Sequence, residues 1–394
     1  MTDFAVLDRP APPPAAGLTL RNSDLNTLFD MLTEQAAKAV DVVVPAAQLR
    51  ADAARLSIPQ TVPHIDDDGV TMLDGLYIPT RHAESQIAAK LKIPLEYLRR
   101  LRTEAPGLWE ANVGHWLADA GDSGKSFLLR LLVDPQRGGG VLRALLSSRY
   151  GIIDNLDVLL CALDGIRAAG VDVEVTSCDL SETRMYVTVV APQIAVAARG
   201  LLAGYRSPFD PSRTGENMPI ISAGFRFSNS EVGAGKYTIA PWLRAEVCGN
   251  GLVQTMDTVS RAHIGAKLDD GTIDPSAATV AAFKALVTSQ TTDAVTNWLT
   301  PEYVQKKIEA MHGAAGVPVA DAPKTIEYVV KTLEMPKAAQ AELLNHFIKG
   351  GVTTSGGILH AVTSVAQTID DPDAAHKLGD SGIRAMELAA AFNR

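Results

Sequence analysis

Five consecutive stretches decide the fold: Ser126–Val133 (SFLLRLLV), Val141–Ser147 (VLRALLS), Asn155–Ala169 (NLDVLLCALDGIRAA), Asp172–Cys178 (DVEVTSC) and Arg184–Ala191 (RMYVTVVA). The first two and the last two are short, apolar or β-branched, and bounded by turn residues: Gly138-Gly139-Gly140 in one pair, Asp179 to Thr183 in the other. The middle stretch has apolar residues at helical period, a capping residue at Asp154 or Asn155, and a stop at Gly170. The expected order is strand, strand, helix, strand, strand, forming one unit. The fold class is therefore α+β, a central mostly antiparallel sheet with helices on one side. Tyr150–Ile153 reads as a further short strand.

Upstream, Leu25 to Val40 has helical spacing with Ser23 or Asp24 as cap, and Val42–Val44, Leu49–Leu56 and Gly69–Ile78 read as short strands around the turn Asp66-Asp67-Asp68-Gly69. That turn lacks the spacing and closing Glu of a calcium loop. Thr80 to Leu117 reads as helices, capped at Thr80 and broken at Pro94 and Pro106, with Pro94 in a first turn where its missing N–H loses no bond. Downstream, 200–220 is irregular, Ile221–Ser228 and Tyr237–Val247 are strand-like, and Ala- and Thr-rich helices run from about Asp269 to the end. The organisation expected is a flexible Pro/Ala-rich tail (1–17), an N-terminal helical module with short strands (18–120), a central sheet domain (121–268) and an acidic helical C-terminal region (269–394).

The 394 residues and their 46% hydrophobic content are enough for a sizeable core and exclude wholesale disorder. No apolar run reaches the ~20 residues of a membrane span, and the first residues lack the pattern of a signal peptide, so the expectation is a cytoplasmic protein without membrane contact. Cys161, Cys178 and Cys248 have no metal-type spacing, which points to neither a disulfide framework nor a zinc site; no metal and no cofactor is expected. Net charge is −9, with −6 in 1–80, −5 in 268–394 and +2 in 81–267. A polyanion surface can sit on such a chain only where the cations of the middle region converge.

Three constellations could carry chemistry. Gly121 to Ser126 (GDSGKS) ends like a phosphate loop, but Asp119 stands where the first Gly belongs and a strand follows where a helix should, so it reads as a turn. Cys248 and His263 could form a thiol nucleophile and its base, or Cys248 could simply be buried at a strand end. Beside Cys248, Gly249-Asn250-Gly251 is a tight-turn signal. Basic and aromatic residues of the middle region, Arg130, Arg143, Arg149, Tyr150, Arg226, Lys236, Tyr237, Trp242, Arg244, Arg261, His263 and Lys267, could follow a phosphate backbone and stack bases, or be dispersed surface charge.

Four segments resemble a known family, the phage and plasmid-like proteins built on domain of unknown function 932: Ser148 to Asn155 (SRYGIIDN), Phe227 to Gly233 (FSNSEVG), Arg244 to Val253 (RAEVCGNGLV) and Arg261 to Gly265 (RAHIG). The resemblance singles out Asp154, Asn155, Asn229, Ser230, Glu231, Gly233, Cys248, Asn250, Gly251 and His263, and implies a bacterial cytoplasm and a role near mobile-element DNA. The element order is also similar to the core of single-strand annealing proteins, which implies a homo-oligomer whose basic groove holds single-stranded DNA. The leading expectation is single-stranded DNA binding or annealing in phage recombination or replication, without a covalent step. The alternatives are a structural or regulatory oligomer that binds protein, and a hydrolase using Cys248 and His263. For DNA binding, Arg149, Arg226, Lys236, Arg244 and Lys267 should meet in one groove with Tyr150 or Trp242 nearby. Asn229, Glu231 and Gly233 should form a ligand-facing loop rather than a plain hairpin bend.

Overall fold

A computed structural model describes residues 17–58, 63–66, 69–134, 138–253, 257–261 and 277–394. The first third alternates short strands with helices: β1 (Leu20–Ser23), α1 (Leu25–Lys38), β2 (Ala39–Pro45), β3 (Arg50–Asp52), β4 (Arg55–Ile58), β5 (Pro63–Asp66), β6 (Gly69–Met72), β7 (Gly75–Pro79), α2 (Arg81–Leu91), α3 (Leu95–Glu104) and α4 (Pro106–Asp122). The carboxylate of Asp24 accepts from Thr27 N, and the Thr80 hydroxyl from Ala83 N, each capping its helix. Pro94 stands at the N-cap of α3, one place before the expected first turn, while Pro106 opens α4. The strand expected over Leu49–Leu56 is the hairpin β3–β4, turning at Ala53 and Ala54, both left-handed (φ 43° and 67°). The backbone N–H of Ala53 donates to Glu110 of α4, which helps hold this unusual turn.

The middle of the chain forms β8 (Ser126–Asp134), β9 (Gly139–Ser147), α5 (Asn155–Ala169), β10 (Glu174–Leu180), β11 (Met185–Ala197), α6 (Arg199–Leu202), β12 (Ile220–Asn229), β13 (Tyr237–Ala245), β14 (Asn250–Val253) and β15 (Val259–Arg261). Helices follow: α7 (Ala277–Trp298), α8 (Pro301–Ala315), α9 (Ala322–Thr332), α10 (Ala339–Gly350), α11 (Ser355–Gln367), α12 (Pro372–Asp380) and α13 (Gly382–Phe392). The class is α+β, and no helix among the described residues is long and apolar enough to cross a membrane. Tyr150–Ile153 is not a strand but part of the connection into α5.

The order strand, strand, helix, strand, strand is present, but its two hairpins lie in two sheets instead of one. A seven-stranded antiparallel sheet runs β1-β10-β11-β12-β13-β14, with β15 also on β13; a six-stranded sheet runs β2-β8-β9-β7-β4-β3. The reason is competition for strand edges. β2 pairs with β8, and β7 pairs with β9 in parallel, so both edges of the β8–β9 hairpin are filled from upstream before β10 is reached. The parallel pair needs a long crossover, and α2 to α4 supply it. The expected boundary at 120/121 therefore cuts through the six-stranded sheet, and β1 crosses it again by pairing with β10.

Each sheet has its own core. Inward residues of the larger sheet, Phe225 and Phe227 among them, pack against α1, α5, α7 and α8. Fully buried Phe side chains each contribute roughly 1.5–3 kcal/mol. The smaller sheet packs Phe127, Leu129, Leu131 and Leu145 on α2 to α4, and α9 to α13 form a third cluster. A fourth, small cluster of Leu128, Ala144, Leu146 and Val232 joins the outer face of the smaller sheet to the β12–β13 turn. That junction is the seam between the two sheets.

Candidate functional site

The seam is built on ion pairs. Arg130 of β8 and Arg143 of β9 interrupt apolar strands on the face away from α2 to α4, and both are buried. Arg130 bonds Asp41 of β2 (3.0 Å), Asp154 at the start of α5, and Glu231 (3.4 Å), while Arg143 bonds the other oxygen of Glu231. Burial alone would raise the Glu231 pKa; Arg143 and Arg130, with the Asn155 N–H, hold it at about 2. Burial likewise works against the charge of Arg130, and the three carboxylates more than reverse that, raising its pKa.

Glu231 also caps α5. Asp154 occupies the N-cap position but its side chain makes no capping bond, being held by Arg130; the backbone N–H of Asn155 donates to Glu231 at 2.8 Å. The expected local cap is therefore supplied by a carboxylate 76 residues downstream. Asn229 completes the junction, its amide donating to Ile153 O and Asn155 Oδ1 at 3.0 Å each. Ser230 accepts from Ala234 N, and Gly233 is left-handed (φ 80°) where a Cβ would meet Leu146 at 2.5 Å. Asn229, Ser230 and Glu231 are all buried, so this segment is a hairpin bend turned inward, with Glu231 bordering a cavity of about 270 Å³ between the sheets. Polar atoms are drawn inward because the cations of the neighbouring sheet need partners.

The second site lies on the outer face of the larger sheet. Alternation sends Phe225 and Phe227 inward and Arg226 outward, and likewise Leu243 inward, Trp242 and Arg244 outward. A cavity of about 390 Å³ lies over this face, lined by Arg21, Ser177, Asp179, Thr188, Arg226, Trp242, Arg244 and, from the C-terminal helices, His376. Arg226 donates to Nδ1 of His376 (2.8 Å) and to Asp380; Nε2 of His376 lies 2.7 Å from Asp179, which also takes Arg21 (2.9 Å). An Arg can only donate, so Nδ1 accepts, Nε2 carries the proton, and His376 is neutral. Burial first and Arg226 second lower its pKa, in agreement. Asp373 accepts from Tyr186 (2.8 Å) and Thr183 (2.5 Å), so the acidic side chains of α12 rest on this face.

Of the five cations expected to meet, Arg226 and Arg244 do, with Trp242. Arg149 and Tyr150 do not line the cavity; they belong to the β9–α5 connection, by the seam. Lys236 precedes β13 and lies eight residues from Arg244, roughly 26 Å along an extended strand. Arg261 pairs with Tyr237 at that same far end of β13. Lys267 and His263 lie outside the described residues. Arg130 and Arg143 are architectural, and Tyr237 is buried against Thr291. Cys248 is buried at the strand end against the core of the sheet, and its expected base His263 lies outside the described residues. The turn beside it spans 246–249 with Gly249 left-handed, and Asn250 and Gly251 already pair in β14. Arg21, Asp179, His376 and Asp380 were not singled out by the sequence reading, since each is isolated in sequence and reaches the cavity only through β1–β10 pairing and the docking of α12.

Among the described residues no group of three or more His, Cys, Asp or Glu side chains is placed to hold a metal ion. No protein-family model, no curated protein and no solved structure matches the chain.

Proposed function

We propose that this protein binds single-stranded DNA on the outer face of the seven-stranded sheet, as a strand-binding or annealing protein of phage or mobile-element recombination or replication, with no covalent step. The observation that carries this reading is the convergence of Arg21, Arg226, Arg244 and Trp242 on one cavity of about 390 Å³, within the ~300–1,000 Å³ typical of ligand sites. Guanidinium groups take phosphates, and a half-buried Trp offers a face to a base. The resemblance to the domain of unknown function 932 proteins lends support of a more general kind; the element order adds none, because its two hairpins lie in separate sheets. Phosphate binding at Arg226 exchanges the Asp380 carboxylate for a phosphate, so affinity is moderated by α12.

The test is a titration of labelled oligothymidylate at several salt concentrations, with sedimentation of the free and bound protein. Affinity should fall as salt rises, and each phosphate-binding Arg replaced by Ala should lower the slope of log affinity against log salt by about 0.7. Absence of binding at low salt would overturn the reading and leave a protein-binding oligomer as the better one.

A further inference from the structure

Only Lys92-Ile93-Pro94 separates α2 from α3. Lys92 is left-handed (φ 57°, ψ 37°), and its N–H, like that of Ile93, donates back to Ala88 O, so α2 stops abruptly and α3 leaves in a new direction. Ala88, Leu91, Ile93, Leu98 and Leu101 are buried in one cluster with residues of α4, which locks the two helices in place. Two helices joined by a three-residue turn and locked in this way have the form of a helix-turn-helix, whose second helix is the one presented to DNA. The crossover from β7 to β9 accounts for the inner face of these helices. It does not account for the outer face of α3.

That outer face is polar and its surroundings are cationic. Glu96, Tyr97, Arg100, Thr103 and Glu104 are exposed and, at spacings of three and four, share one side of α3. Tyr97 is 47% exposed and the Arg100 side chain 73%. Over residues 81–104 six Lys or Arg stand against three Glu, a net +3 in a chain of net −9. Arg102 and Glu84 meet each other inside at 3.4 Å, so the excess lies at the surface, with Lys90 and Lys92 exposed at the end of α2 and in the turn. Glycine adopts the left-handed backbone without steric cost, yet the chain places a cation there. Arg99 and Arg100 pair with Glu96 and Glu104 of their own helix, exposed contacts that hold weakly and can be exchanged.

Both signs of charge on one helix face suit base edges better than a bare phosphate chain, since Arg can donate to guanine and Glu can accept from the cytosine amino group. Ten residues of helix, roughly 15 Å long, also match a major groove about 12 Å wide, which a single strand does not offer. We propose that α2 and α3 dock on duplex DNA, with α3 in the major groove, Glu96, Tyr97 and Arg100 toward base edges, and Lys90 and Lys92 toward phosphates. The proposal does not rest on the single-strand groove, which shares none of these residues.

The test is a titration of a fluorescein-labelled, mixed-sequence duplex of about 30 base pairs with the full chain, at salt from about 50 to 200 mM. Binding should weaken with salt, and Lys92→Gly and Arg100→Gln should each lower the slope of log affinity against log salt by about 0.9 while leaving oligothymidylate binding unchanged. Lys92→Gly removes the cation at a position that glycine favours, so the fold is kept. Arg244→Ala should bind the duplex as the wild type does, which separates this site from the groove. Methyl green, a major-groove ligand, should displace the protein, and distamycin, a minor-groove ligand, should not. No duplex binding at about 50 mM salt, slopes unchanged in both Lys92→Gly and Arg100→Gln, or displacement by distamycin alone would overturn the proposal. Self-association lost in Arg100→Gln with duplex binding intact would also overturn it, and would assign the face to a second copy.

Discussion

Arg130 and Arg226 begin from the same situation and end in opposite ones. Each lies in an apolar strand, points away from the core of its sheet, and is largely buried. Arg130 is encircled by carboxylates from three separate elements, Asp41 on β2, Asp154 at the start of α5 and Glu231 in the β12–β13 turn. Arg226 has a single carboxylate, Asp380, and a neutral imidazole, both from α12. A cation held on three sides by different parts of the chain joins those parts. A cation held from one side by one helix keeps a partner that another anion can replace. The seam accordingly joins the two sheets, whereas the partner of Arg226 is the one that the proposed DNA phosphate would displace.

The largest expected effect tests the architectural half of that contrast. Glu231→Ala strands the buried guanidinium of Arg143, takes one of three carboxylates from Arg130 and uncaps α5, so it should cost about 3–5 kcal/mol, the penalty for breaking a buried pair. Urea unfolding checks it. A loss below about 1 kcal/mol, the value of an exposed pair, would show that the seam is solvated and joins nothing.

The binding half is tested next, on DNA affinity with stability as control. Trp242→Ala should weaken oligothymidylate binding by about 1–3 kcal/mol with an unchanged salt slope, because stacking releases few counterions. Arg244→Ala should reduce the slope as well as the affinity. Identical slopes for the two variants would mean that Arg244 meets no phosphate. A smaller change in the opposite direction is expected for Asp380→Asn, whose side chain is about one-third exposed. Freeing Arg226 from a pair of this kind should raise affinity by at most about 1 kcal/mol, roughly fivefold. A loss of affinity would mean that α12 presents the site instead of competing for it.

How much of this was legible in the sequence follows from the range of the forces involved. Helix caps at Asp24 and Thr80 and the strands β8 to β11 are local, set by residues within four positions, and were readable. The β3–β4 turn was not, because Ala53-Ala54 carries no turn signal and its left-handed backbone is steadied from α4 by Glu110. The split into two sheets was hidden for a related reason: which strand fills an edge depends on partners fifty or more residues away. The sequence did hold one underused signal. An Arg inside SFLLRLLV, on a strand whose neighbours are apolar on both faces, needs a buried carboxylate, and the Asn229-Ser230-Glu231 segment was the natural source of one. In the groove, Arg226, Trp242 and Arg244 were readable from alternation on neighbouring strands, while His376 and Asp380 depend on how α12 docks.

The smallest effect is a pH dependence that separates the mouth of the seam from its interior. Glu231 has a folded pKa of about 2 against an ordinary value of 4.5, so its stabilisation is complete above pH 4.5 and is lost as pH falls through that window. Asp41 has the opposite sign. Its folded pKa of about 6 lies above the ordinary 3.8, so between these values the folded protein holds a proton that the unfolded chain releases. The contribution of Asp41 is thus largest below pH 3.8, declines as pH rises to 6, and is flat beyond. The groups facing it are Arg130 from β8, Arg143 from β9, Asp154 from α5 and Glu231 from the β12–β13 turn, and the contribution of Glu231 is already complete by pH 4.5, below the range from pH 5 to 7 over which Asp41 is followed. Asp41→Asn removes the titration while keeping the shape. Urea midpoints of the two proteins at pH 5, 6 and 7 should therefore diverge, the wild type losing stability relative to the variant between 5 and 6 and running parallel to it above. With about a third of the Asp41 side chain facing water, the divergence should be far below the cost of Glu231→Ala. Parallel midpoints across the whole range would mean that Asp41 titrates as it does in the unfolded chain, and that burial at the mouth of the seam does not reach its carboxyl.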